Sequence, residues 1–256
     1  MKSGHLSSCV GYLRFTLESE GSEMNDGEEE VYRDILDEDI TADAAIEDYL
    51  QRNNLIYVKA SFDPKTPFYP GTKCLVNNFD IHDKAILKNV DKTLSTIRTA
   101  ELFAEDDEFV PSLESFFSLH KTMFSDVYPW AGEIRVANAS KRTEFMKPES
   151  ISRALDEIFK GLASSDYLKN FDDADDFINE LAFFMSELEL IHPFIDGNGR
   201  VIRLFLTLIA KRAGYSIGWA EVDPDYLLEA SITAIDGDYQ ALIGLLEEIV
   251  LPINDD

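Results

Sequence analysis

Phe177, Leu181, Phe184 and Leu188 recur at three- and four-residue steps, the strongest amphipathic stripe in the chain, and the stripe stops at His192-Pro193. A residue that precedes proline is pushed out of the right-handed helical region, so a helix predicted over about Asp173 to Leu190 has to end there. Gly197-Asn198-Gly199 comes next, and helical spacing resumes from about Val201 to Ala213. Any fold for this chain must therefore join two helices through a tight loop that opens on His-Pro and closes on glycines. The same spacing predicts further helices over about His82 to Leu102, Pro111 to Phe124, Ser150 to Ala163, Pro224 to Asp236 and Tyr239 to Val250. One interruption reads as a β-hairpin: Gly132-Glu133-Ile134-Arg135-Val136 and Thr143-Glu144-Phe145 flank Asn138-Ala139-Ser140-Lys141.

The N-terminal part differs in charge and texture. Residues 1–60 hold five Lys or Arg against fourteen Asp or Glu, a balance of −9 in under a quarter of the chain. Three short helices are predicted there, about Leu6 to Ser19, Glu28 to Glu38 and Ala42 to Arg52, with Gly21 closing the first and Thr41 capping the third. Each has one apolar face, too little for a core of its own, so the three are expected to pack on the helices beyond residue 60. Ser61 to Thr72, with Asp63-Pro64, Thr66-Pro67 and Tyr69-Pro70-Gly71, reads as a connector. The fold class expected is all-α with a short β-hairpin flap, preceded by a small helical bundle.

Charge narrows the partners. With 23 basic and 49 acidic residues the net charge is −26, which argues against nucleic acid and against an anionic membrane surface. No apolar run reaches the roughly 18–20 residues that span a bilayer. Met1 to Cys9 shows no secretory signal, and two cysteines, Cys9 and Cys74, point to a reducing compartment, so the expected location is cytoplasmic. Delivery into another cell stays open.

The chemistry concentrates in His192-Pro193-Phe194-Ile195-Asp196-Gly197-Asn198-Gly199-Arg200-Val201-Ile202-Arg203. The start of the second helix, with unpaired N–H groups and a positive dipole end, is a ready anion site. Arg200 and Arg203 are three residues apart and leave one side of that first turn. Asp196 is a hard oxygen ligand where a Mg²⁺ bridging phosphates would sit. His192 titrates near neutrality and suits a general base. These parts fit a nucleoside triphosphate, yet the chain holds neither a Walker motif nor kinase signatures.

This pattern, H-P-F-x-D-G-N-G-R-x-x-R, resembles the signature of Fic-domain protein adenylyltransferases. Tyr69-Pro70-Gly71-Thr72 through Asn77 resembles the entry to a Fic core, and Trp130 to Arg135 with the hairpin after it is similar to the family's target-binding flap. The resemblance implies transfer of AMP from ATP to a Ser, Thr or Tyr hydroxyl. His192 would take the hydroxyl proton and Asp196 would hold Mg²⁺. The N–H groups of Gly197, Asn198 and Gly199 would form an anion hole, with Arg200 on the β-phosphate and Arg203 on the γ-phosphate. Phe194 would anchor the loop in the core. Along the flap, Asn138, Ser140, Lys141, Thr143 and Phe145 would meet target or nucleotide.

Thr16-Leu17-Glu18-Ser19-Glu20-Gly21 matches [ST]-x-x-x-E-[GN], the inhibitory helix pattern of Fic antitoxins and autoinhibited Fic proteins. The resemblance implies that Glu20 occupies Arg203 where the γ-phosphate should dock, with Thr16 seating the helix and Gly21 ending it. The expected organisation is an antitoxin-like segment over residues 1–57, a connector over 58–67 and a Fic catalytic domain over 68–250. Its partners would be ATP, a target protein and the chain's own inhibitory helix. Other readings of the same residues are transfer of another nucleotide such as UMP, removal of AMP, or a non-catalytic nucleotide-binding regulator.

Overall fold

The computed structural model describes residues 3–58, 60–105, 109–139, 144–171 and 173–253. Among them are helices α1 (Ser3–Ser19), α2 (Asp26–Leu36), α3 (Ala42–Arg52), α4 (Lys84–Ala104), α5 (Leu113–Phe124), α6 (Pro148–Ser164), α7 (Ala174–Ile191), α8 (Asn198–Arg212), α9 (Pro224–Ile235) and α10 (Gln240–Ile249). Strands β1 (Tyr215–Ile217) and β2 (Val250–Pro252) form a two-stranded antiparallel sheet. The mainly helical class is as expected. The chain divides into two compact units, Met1–Glu108 with Phe117–Ala137, and Phe109–Phe116 with Asn138–Asp256.

In the first unit α1, α2 and α3 all pack on α4, which supplies the core that three short amphipathic helices lack. Tyr12, Leu13, Phe15, Tyr32, Ile35 and Ile46 are buried there, and the Tyr12 ring meets Phe103 edge-on at 5.1 Å. Caps set the boundaries. Asn25 accepts from the N–H groups of Gly27 and Glu28 while Glu28 reaches back to the Asn25 N–H, a reciprocal box that starts α2 two residues earlier than its apolar spacing predicts. Thr41 caps α3 as expected, accepting from the Ala44 N–H at 3.2 Å.

Arg98 on α4 ties α3 to this unit. Its guanidinium reaches Asp126 at 2.7 Å, Asp43 of α3 at 2.8 Å and Glu101 at 3.0 Å. Burial works against the charge, but Asp126, Asp43 and Glu101 outweigh it and hold the Arg98 pKa above its ordinary value. The histidine at 120, to which the sequence assigns no function, is buried and accepts the Gly132 N–H at 2.9 Å.

The second unit is built round α7, against which α6, α8, α9 and α10 pack. Phe177, Leu181, Phe184 and Leu188, the apolar stripe of α7, are all buried. Losing one such phenylalanine to alanine costs about 3–5 kcal/mol. Among the described residues the two-stranded sheet lies here. Tyr215 pairs with Pro252 and Ile217 with Val250, and the indole N–H of Trp219 donates to the Thr207 hydroxyl of α8 at 2.9 Å. The described residues of the expected hairpin hold no regular strand. Residues 140–143 lie outside the described set; across that gap the Phe145 N–H reaches the Ala139 carbonyl at 3.4 Å.

Candidate active site

The loop between α7 and α8 is shaped by two left-handed residues. His192 caps α7 with φ 46 and ψ 61, its N–H still bonded to the Leu188 carbonyl at 3.0 Å. Pro193 forbids another helical turn, and the left-handed step swings the chain and the imidazole out of the helix axis. Gly197, at φ 78, then turns the chain into α8. A side chain in that conformation is strained, so glycine here answers to the backbone.

Gly199 answers to something else. It has no left-handed backbone, but a Cβ placed on it would stand 3.0 Å from Nη1 of Arg203. The missing side chain is what lets the Arg203 guanidinium fold back over the first turn of α8. Arg200 and Arg203 are both buried, at 3% and 8% exposure, so two positive charges sit at low dielectric beside a helix N-terminus.

Asn198 braces the loop across its mouth. Its carbonyl oxygen accepts from the Phe194 N–H and its amide donates to the Phe194 carbonyl, both at 2.9 Å. Phe194 is fully buried as expected, its ring 5.6 Å from that of Phe116, which in turn meets Phe159 and Phe205. The Asn198 side chain thus holds the loop across its mouth.

Of the three N–H groups expected to receive an anion, that of Gly197 is taken by Asp196 Oδ1 at 2.8 Å. Those of Asn198, Gly199 and Arg200 precede the first intrahelical bond, from the Val201 N–H to the Gly197 carbonyl. Among the described residues no group of three or more His, Cys, Asp or Glu could hold a metal ion. A single half-buried carboxylate just before the start of α8 fits Mg²⁺, which is commonly held by one or two carboxylates plus the phosphates of its nucleotide.

His192 is half-buried with its Nδ1 buried. Phe145, which the sequence places in the flap, stacks on the imidazole with ring centroids 3.6 Å apart and planes 6° from parallel. Asn138 is exposed; Ser140, Lys141 and Thr143 lie outside the described residues.

Thr16, Glu20 and Gly21 belong to the first unit. The Ser22 N–H bonds to the Leu17 carbonyl and the Gly21 N–H to that of Glu18, with Gly21 at φ 75, the double-bonded glycine stop of a helix. Thr16 is buried, and Glu20 stands 3.7 Å from Lys88 Nζ. The Lys92 ammonium donates to the Ser22 hydroxyl, so two lysines one turn apart on α4 grip the end of α1. The sequence gives no cue to that grip.

Residues 111–210 match the Fic/DOC family. The chain is 31% identical over 183 residues to the "Probable protein adenylyltransferase y4lH" of Sinorhizobium fredii, an alignment spanning 71% of this chain and 94% of that protein. It is 32% identical over 189 residues to the "Protein adenylyltransferase VbhT" of Bartonella schoenbuchensis, spanning 73% of this chain and 39% of that one. Among solved structures, the BepC protein of Bartonella tribocorum with bound AMPPNP has a similar fold, with a TM-score of 0.65 at 23% identity over 73% of this chain and 96% of that one. With a relative that similar along nearly its whole length, and with His192 to Arg203 inside the matched stretch, the chain belongs to the Fic/DOC family.

Proposed function

We propose that this chain is an autoinhibited protein adenylyltransferase that moves AMP from ATP to a Ser, Thr or Tyr hydroxyl of a target protein. The observation that carries the reading is the half-buried imidazole of His192, set by a left-handed turn at the entrance of a loop that ends in an anion cradle with two buried arginines. Relatives named protein adenylyltransferase support the choice of transferred group.

The hydroxyl proton passes to Nε2 of His192. The hydroxyl oxygen bonds to the α-phosphorus of ATP as the bond from that phosphorus to the bridging oxygen breaks, and pyrophosphate leaves. Its negative charge is received by Arg200 on the β-phosphate and Arg203 on the γ-phosphate, with the N–H groups at the start of α8 facing the phosphates. Asp196 would hold Mg²⁺, which when bound neutralises charge on the α- and β-phosphates. An extended target segment lies along the flap, near Asn138, Ser140, Lys141, Thr143 and Phe145, so that its hydroxyl arrives at His192.

Residues 1–57 act as the inhibitory segment, 58–67 as the connector and 68–250 as the catalytic domain. Glu20 pairs with Arg203, a charge-assisted contact of about 1.5–3 kcal/mol, and turns the γ-phosphate away. ATP then binds with its α-phosphorus out of line, and a small misplacement costs roughly 100-fold in rate. The glycine stop that leaves Glu20 as the last residue before the left-handed turn supports this reading.

Labelling with α-labelled ATP tests it. Glu20→Gly is expected to raise label on the chain itself, and His192→Ala in the same background to abolish it. Label that persists without His192 would refute the transferase. Label unchanged by Glu20→Gly would refute the inhibitor alone.

A further inference from the structure

The Phe145–His192 stack is tighter than a flap residue that merely greets a target would need. We propose that Phe145 is a positioning residue for the base, holding the imidazole plane so that Nε2 faces the incoming hydroxyl; the proposal rests on the reading of His192 as that base.

Three observations converge on it. First, the rings lie face to face at 3.6 Å and 6°, so Phe145 covers one whole face of the imidazole and leaves only its edge for hydrogen bonding. Of the two edge nitrogens Nδ1 is buried, and the proposed mechanism gives the proton to Nε2. Second, both ring bearers are anchored to one turn. The Met146 N–H donates to the Leu190 carbonyl at 2.9 Å, in the last turn of α7, and His192 caps that same turn. Phe145 therefore moves with the base rather than with a free loop. Third, the Phe145 N–H reaches back to the Ala139 carbonyl, so its backbone is fixed on the other side as well.

A left-handed backbone sets where an imidazole starts but not how it turns about its side-chain bonds. A ring laid flat against it removes that freedom. Catalysis by proton transfer is sensitive to this angle, because the base must be aligned with the proton it takes.

The test uses the full chain carrying Glu20→Gly, compared with Phe145→Tyr, Phe145→Leu and Phe145→Ala made in it. Tyr keeps a stacking ring, Leu keeps apolar cover without a plane, and Ala keeps neither. Self-labelling from α-labelled ATP gives kcat and the KM for ATP; NMR titration of the His192 ring protons reads the stack directly. Expected is a kcat within about threefold for Tyr and a loss of about 30- to 100-fold for Leu and Ala, the scale of a misaligned base, with KM for ATP within about twofold throughout. The His192 titration should move in Leu and Ala and stay in place in Tyr.

A Leu variant as active as the parent would overturn the proposal, because cover alone would then suffice. So would a Tyr variant as impaired as Ala, or a His192 titration that ignores the loss of the ring. The NMR arm needs no turnover. If no variant, His192→Ala included, alters labelling, the transferase reading falls while the titration still decides the stack.

Discussion

Helices α1 and α7 both end on a left-handed residue, and they fill that place differently. At the end of α1 it is Gly21, φ 75, with nothing within 4 Å of where a Cβ would be. At the end of α7 it is His192, φ 46, whose ring is stacked beneath Phe145. Glycine accepts the conformation without strain, whereas a side chain there costs about 1–2 kcal/mol. Glu20, the residue proposed to inhibit, sits one place before the turn and stays clear of the strain; His192, the proposed base, sits in the turn itself. On the proposed reading, a carboxylate that only has to reach an arginine can be delivered by a relaxed helix end. An imidazole that must be aimed across a loop mouth is held where only strain can put it.

The comparison is broken most severely at His192. His192→Ala should lower labelling in the Glu20→Gly chain by about 1,000-fold, within the usual range for a general base. His192→Gly should be equally inactive, yet melt above His192→Ala, the reverse of their order inside a helix, because glycine relieves the left-handed strain. A melting curve for each decides it.

Next in size is Glu20→Gly, expected to raise labelling on the order of 100-fold. Gly199→Ala should come third. Its methyl would press on Arg203 Nη1 and push the guanidinium from the position proposed to receive the γ-phosphate. The KM for ATP should rise about tenfold, the worth of one partly lost charged contact, with little change in melting temperature.

Gly21→Ala probes the relaxed end. It should lower the melting temperature by about 2–8 °C, from the left-handed penalty spread over a chain of this size. The smallest effect is expected from Lys88→Ala with Lys92→Ala. Exposed ion pairs contribute about 0–1 kcal/mol, so if the end of α1 inhibits as proposed, loosening the grip of α4 on it should raise labelling up to about fivefold. No rise would mean that α1 is held without them.

Much of this was legible in the chain. Helix α3 begins and ends where its spacing predicts, because Thr41 is a good cap and its apolar face needs no outside information. The stop at His192-Pro193 follows from proline sterics, and the burial of Phe194 from its place between two turns. The illegible part depends on contacts between distant residues. Three-residue strands such as Tyr215–Ile217 and Val250–Pro252 show no alternation long enough to read, and they pair across two intervening α-helices. The two glycines of the loop look alike in sequence but serve different ends, Gly197 the backbone angle and Gly199 an arginine four residues on. Nor does spacing announce that the amide of Asn198 closes on the Phe194 peptide.

The small sheet has a reach beyond its size. It begins three residues after α8 ends, Ile253 donates to the Gly214 carbonyl just past that helix, and Trp219 fastens to Thr207 on its flank. A fifteen-residue helix is a rod about 22 Å long, so residues 250–253 work as a tailstock, steadying from behind the tool whose cutting edge is proposed to meet the phosphates. Trimming or overloading residues 250–253 should therefore blunt nucleotide binding at the far end of α8, with no change to any group that touches the nucleotide.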